Sequence, residues 1–292
     1  MYIKKAFSLT VITLFAFIHA HSPAMNFHGK SRFKKPSFSK IEKKVHKNGL
    51  VDLANLMRML RLSNPYNSKT IHWKVWDEQA ELNVPILILG SLALDQFCIE
   101  HKKKSLLFST RGCCHFFKIF SALFPKYRST YFHTSRYIYR NPTPEYIEYV
   151  RSLYTEDSLI VDERGSGTTC QEFFNKHFHT SANYIALTRS WGEPQHLSCL
   201  YSKNIEITNF DCIGSLVSFN KDGPIRIPLE YNPNKVLPAH NCIDKALSLF
   251  KHYHLKKFDK KTFLQLLNKL QNAHLALRKT YVLNHKKDVF LP

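Results

Sequence analysis

A chain of 292 residues with 44% hydrophobic and 22% charged side chains can build a globular core, which excludes wholesale disorder, collagen and coiled coil. Only the first twenty residues read as a membrane-entering run, which argues against a polytopic membrane protein. The net charge of +20 sits at the ends: residues 1–49 hold ten Lys/Arg against Glu42, and residues 251–292 hold ten against Asp259 and Asp288.

Lys4 and Lys5 precede the apolar run from Ala6 to Ile18, and the small residue Ala20 follows. A positive start, a short apolar stretch and a small exit read as a signal peptide over 1–20, giving a secreted or periplasmic protein. The alternatives are an uncleaved membrane anchor or a buried first helix in a cytoplasmic protein. Residues 21–47, rich in Lys, Ser, Pro and Phe without periodicity, read as a basic linker.

From residue 48 the pattern becomes regular. Leu50, Leu53, Leu56, Met57 and Leu60 keep helical spacing, and Pro85 opens an apolar helix, Ile86 to Ile99, with Asp95 and Gln96 on its wet side. Ser105–Ser109 is a short buried strand, followed by the turn Thr110-Arg111-Gly112 and a helix over 113–123 ended by Pro125. Thr130–His133 is a second strand. Thr143 caps the next helix, with Pro144 at its first position and Glu145 in its first turn. Ser158–Asp162 is a third strand, Thr168 to Phe178 a helix, and Tyr184–Leu187 a fourth strand.

This alternation predicts an α/β fold whose parallel sheet is wrapped by helices, a Rossmann-like core over 48–238. Beyond Trp191, the segments 205–207, 216–219 and 225–227 read as a small β extension. Two C-terminal helices follow, about 239–254 and 259–283, within a basic helical segment 239–292. Seven cysteines without a C-x-x-C pair indicate neither a zinc site nor a redox motif, and most read as small core residues.

The sharpest motif is the third strand's exit, Asp162-Glu163-Arg164-Gly165-Ser166-Gly167-Thr168-Thr169. Glycines let backbone N–H groups converge on an anion, the helix start adds partial positive charge, and Ser166, Thr168 and Thr169 donate further bonds. Asp162 and Glu163 suit ribose hydroxyls, or Mg²⁺ held through water. The plainer alternative is a tight strand-to-helix turn with a hydroxyl cap. Arg111 and Arg136, each just past a strand end, point to phosphate recognition by guanidinium forks, or else to structural bridges with Asp162 and Glu163. His133 reads as packing. Cys113 and Cys114 lack a partner for nucleophilic catalysis.

The segment resembles the diphosphosugar-binding loop of type I phosphoribosyltransferases: Asp162 and Glu163 match its acidic pair, and Ser166, Gly167, Thr168 and Thr169 its phosphate cradle. Residues 84–255 are also similar to the phosphoribosyltransferase-like region of bacterial surface-polysaccharide clusters. That likeness is carried by Phe108-Ser109-Thr110-Arg111-Gly112, Tyr131-Phe132-His133-Thr134-Ser135-Arg136 and Asp162 through Thr168. Those relatives carry Asp where this chain has Gly112. The resemblance implies a transferase or binding domain for a phosphorylated or diphosphorylated sugar, with Asp162, Glu163, Arg111 and Arg136 as catalytic residues, Gly165–Thr169 as the phosphate site and Mg²⁺ as cofactor. The rival expectation is a catalytically inert, secreted interaction protein or effector, whose basic ends contact an anionic membrane or nucleic acid. No zinc finger, RNP or helix-turn-helix pattern accompanies that charge.

Overall fold

The computed structural model describes residues 39–188 and 209–252. The expected signal peptide, most of the linker, the strand at 205–207 and the helix at 259–283 lie outside the described residues.

The linker expectation needs correcting at its end. Residues Lys40–Lys47 form helix α1, started by a capping box in which the Glu42 amide donates to Ser39 Oγ (3.2 Å) and the Ser39 amide to Glu42 Oε2 (2.7 Å). Ile41 and Val45 are buried, and the fully buried Glu42 carboxylate takes a two-pronged grip from Arg61 (2.8 and 3.1 Å) on α2, Val51–Leu62. Two apolar residues in eight make too short a stripe to stand out. The capping signature Ser39-x-x-Glu42 is the local cue to the helix.

Leu53, Leu56, Met57 and Leu60 of α2 are buried, as their spacing predicts. The region around Trp73 and Trp76 is α3, Ile71–Glu78, which runs through a π-helical turn, Gln79–Asn83, into α4, Val84–Glu100. Together they form one 30-residue helix, long and apolar enough to cross a membrane, although 72% of its most apolar stretch is buried inside the molecule. Asp95 is not on a wet side. It is buried against Lys126 Nζ (2.6 Å) and accepts from the Tyr127 hydroxyl (2.9 Å). Gln96 is exposed as expected.

Four strands follow in parallel: β1 Ser105–Ser109, β2 Arg128–Phe132, β3 Ser158–Arg164 and β4 Tyr184–Thr188, in the order β2-β1-β3-β4. The crossovers carry α5 Cys114–Leu123, then α6 Arg136–Arg140 with α7 Pro144–Leu153, then α8 Thr168–Phe178. Strand alternation divides the core in two. Leu106, Phe108, Leu159, Val161, Ile185 and Leu187 pack with α2, α4 and α5; Leu107, Ile160 and Ala186 pack with Tyr146, Val150, Phe173 and Phe174 of α7 and α8.

The β extension is an antiparallel hairpin, β5 Ser215–Asn220 and β6 Gly223–Ile227. It docks on the second face: Phe219 stacks on Tyr149 at 4.7 Å, and Ser135 Oγ and Thr143 Oγ1 donate to the carbonyls of Leu216 (2.8 Å) and Phe219 (2.6 Å). The first C-terminal helix starts earlier than predicted, as α9 Pro233–Leu249. Asn232 caps it and Pro233 takes the first position, the local start signal. The boundary expected at 238/239 therefore falls inside a helix whose Cys242, Ile243 and Ala246 belong to the main core.

Candidate functional site

Between β1 and β3 the strand order reverses direction: the chain passes from β1 to β2 on one side and reaches β3 on the other. In open parallel sheets that reversal leaves a crevice beyond the strand ends. Here a cavity of about 550 Å³ fills it, lined by residues 109–112 after β1, 134–136 after β2, 162–170 after β3, and by Tyr139, Arg140, Tyr184, Asn209, Phe210, Ser215 and Leu216. All nine residues proposed from sequence line it: Arg111, Arg136, Asp162, Glu163, Gly165, Ser166, Gly167, Thr168 and Thr169.

The two turns carrying Arg111 and Arg136 are tied together. Thr110 Oγ1 donates to the Thr134 carbonyl (2.9 Å) and accepts from the Thr134 amide (3.1 Å), and the Thr110 amide bonds to the Phe132 carbonyl (3.0 Å). Arg136 then opens α6, whose cap is Ser135 Oγ accepting from the Ile138 amide (3.1 Å). Arg140 follows one turn later on the same side of the helix. Among the described residues neither Arg111, Arg136 nor Arg140 has an ion-pair partner within 4 Å, so the alternative of structural bridges to Asp162 and Glu163 is not what forms.

The acidic pair is split. Successive strand residues face opposite sides, so Asp162 follows Ile160 toward the second core and Glu163 follows Val161 toward the first. Asp162 accepts from the Tyr184 hydroxyl (3.2 Å) and the Arg164 amide (3.4 Å). Burial pushes its carboxyl up to about 6, against the pull of those bonds and of the Arg136 charge. Glu163 is buried beside Gly112, where an added Cβ would come within 3.2 Å of Glu163 Cβ and Oε2. Any residue larger than glycine at 112 would press on that side chain. The cavity lining thus carries two carboxylates, Asp162 and the buried Glu163, with no group of three or more metal-ligating His, Cys, Asp or Glu side chains among the described residues.

The loop itself is built on Tyr184. Gly165 (φ 139°) and Gly167 (φ 71°) adopt backbone that suits glycine, and a Cβ at Gly167 would sit 2.8 Å from the Tyr184 ring. Ser166 Oγ and Thr168 Oγ1 are 2.6 Å apart, and the Thr168 amide donates to Ser166 Oγ (3.3 Å). No side chain caps α8. Ser166, one residue ahead of the N-cap Gly167, still supplies a hydroxyl to the first helical amide, so the turn keeps part of the plainer reading. Thr169 and Cys170, in the first turn of α8, line the cavity, and the helix dipole there favours negative charge.

Three other residues behave as core or scaffold. His133 lies outside the cavity lining; its Nδ1 meets Arg226 Nη2 (2.8 Å), its ring stacks on Tyr149 (5.9 Å), and burial, then Arg226, lowers its pKa. Cys113 and Cys114 are buried thiols donating to the carbonyls of Val161 (3.5 Å) and Asn209 (3.2 Å). Burial pushes both well above the usual thiol value, the opposite of an activated nucleophile.

Sequence reasoning missed Arg140, Tyr184 and the 209–216 wall. Arg140 had a local signal, its i,i+4 spacing from Arg136. Tyr184 read as the start of an apolar strand, and nothing near Asn209 or Phe210 in sequence connects them to a strand end. Comparison with known family models and with curated proteins finds no match for this chain.

Proposed function

We propose that the cavity binds a phosphorylated or diphosphorylated sugar, in the manner of a phosphoribosyltransferase-like domain on a Rossmann-like sheet, and transfers its glycosyl unit. The observation that carries this reading is the surplus of positive charge. Arg111, Arg136 and Arg140 line one cavity without ion-pair partners among the described residues, together with the start of α8 and the carboxylates of Asp162 and Glu163. Unpaired guanidinium groups held in a shared concave site favour a ligand with several anionic oxygens. Asp162 then serves the other part of the ligand, accepting sugar hydroxyls beside the phosphates.

In transfer, the arginines would offset charge developing on the departing diphosphate, and the Gly165–Thr169 loop would fix the phosphorylated end so that the anomeric carbon faces the incoming acceptor. Mg²⁺ accompanying a diphosphate would supply further charge neutralisation, with Asp162 and Glu163 as the carboxylates of the cavity lining that would hold it.

Isothermal titration of the full chain with phosphoribosyl diphosphate, with and without Mg²⁺, tests the proposal. Wild type gives saturable heat, and Arg111→Ala and Arg136→Ala each weaken binding about tenfold or more. No heat at millimolar ligand in either condition discards it.

A further inference from the structure

The turn after β1, Thr110–Gly112, contains no carboxylate, yet the fold delivers one from residue 211. Asp211 is only 3% exposed. It accepts from the Tyr131 hydroxyl and from the Ile213 amide (2.8 Å). Tyr131 sits on β2 directly across from Phe108 of β1, and its hydroxyl also reaches the carbonyl oxygen of Arg111 (3.2 Å). One phenol therefore joins the 211 loop to the backbone of the residue that carries the guanidinium.

The remaining neighbours narrow what Asp211 acts on. Its charge is felt by Arg226 and by Arg111. Arg226 is already engaged, donating to the Gly214 carbonyl (3.0 Å) and meeting His133 Nδ1 (2.8 Å). Arg111 has no ion-pair partner within 4 Å among the described residues, so Asp211 attracts its guanidinium without covering it. The loop is also anchored just ahead of this carboxylate. The Asn83 and Asn209 side-chain amides pair reciprocally (3.2 Å each way), Cys114 donates to the Asn209 carbonyl, and His240 Nε2 bonds to the Phe210 carbonyl (2.8 Å). A buried charge on a loop this firmly held costs desolvation that a merely connecting loop would not incur.

We infer that Asp211, bonded to the Tyr131 hydroxyl, is a positioning residue that holds Arg111 toward the cavity. The inference rests on the phosphate-ligand reading, so its test includes an arm without ligand. Full-length wild type, Tyr131→Phe and Asp211→Asn, each checked for folding by circular dichroism, are treated with phenylglyoxal, and modification of individual arginines is followed by peptide mass spectrometry. Arg111 is expected to react several-fold faster in both variants, with Arg136 unchanged. Equal Arg111 rates in all three proteins overturn the inference.

In the second arm, inorganic diphosphate is titrated into the same proteins and into Arg111→Ala. Both variants are expected to bind about tenfold more weakly, and neither substitution to weaken Arg111→Ala further. Tighter binding by Asp211→Asn would mean that Asp211 acts on the anion only as a repelling charge, which overturns the inference. A lower melting temperature with unchanged affinity and unchanged Arg111 reactivity would make it a structural brace and overturn it equally. Absence of heat from wild type, with the Arg111 rates shifted as expected, would remove the ligand reading and leave the hold on Arg111 standing.

Discussion

At residue 162 the proposed function would set a single carboxyl two opposed duties. It would accept hydroxyls from a sugar, which favours the ionised form, and sit beside phosphates, which favours the neutral one. Burial raises it to about 6, so it changes charge within reach of ordinary buffers. Its folded value lies above its ordinary one, so the stability it contributes is fully present below about pH 4 and is lost as pH rises through about 6. For binding, ionisation adds a negative charge to the cavity. Asp162→Asn should therefore bind inorganic diphosphate more tightly than wild type, by about tenfold at pH 7 and with little difference at pH 5. The same variant should bind phosphoribosyl diphosphate more weakly at pH 7, because the carboxylate acceptor for the hydroxyls is gone. Titration of both ligands at the two pH values checks the pair of signs.

At the scale of the element, the β3–α8 turn shows local sequence and tertiary packing acting together. Gly165 and Gly167 are legible as turn glycines. That Gly167 has no room for a side chain is not, because the obstacle is Tyr184 on the neighbouring strand. Gly167→Ala combines left-handed backbone strain with a 2.8 Å approach to that ring, and should cost about 1–2 kcal/mol, read as a thermal midpoint lower by several degrees. Diphosphate affinity should fall with it, since the loop amides cannot hold their direction if the loop lifts off Tyr184. The strands, α5 and α7 are readable because each has a capping residue, a proline stop or an apolar run, and α8 because a glycine turn precedes it. Helix α6 was missed because five residues cannot show a helical period. The π-helical turn at Gln79–Asn83 was missed because what it provides, the burial of Asn83 against Asn209, depends on a loop far along the chain.

For the molecule as a whole, His115 is a test of how tightly the layers close. It is fully buried on α5 with its ring edge-on to His240 of α9 at 4.6 Å, and burial, then His240 and Lys118, holds its pKa well below the ordinary value. A depressed native pKa means the unfolded chain takes up a proton that the folded one refuses. Its contribution is thus present above about pH 6.5 and lost as pH falls below that. Replacing it by leucine should flatten the fall in unfolding free energy between pH 6.5 and 5, by up to about 1.4 kcal/mol per pH unit, in denaturant titrations.

The sequence by itself determined the alternation of strands and helices, the parallel direction of the sheet and the three strand ends that line the cavity. Those features follow from period, capping and turn chemistry, which act between near neighbours. Tertiary structure alone decided that Asp162 and Glu163 separate onto opposite faces, that Arg111, Arg136 and Arg140 form no ion pair with either, and that one Tyr131 hydroxyl meets both Asp211 and the Arg111 carbonyl. Each of these depends on register and on chain segments meeting across the sheet, and residue spacing holds no information about distances of that kind.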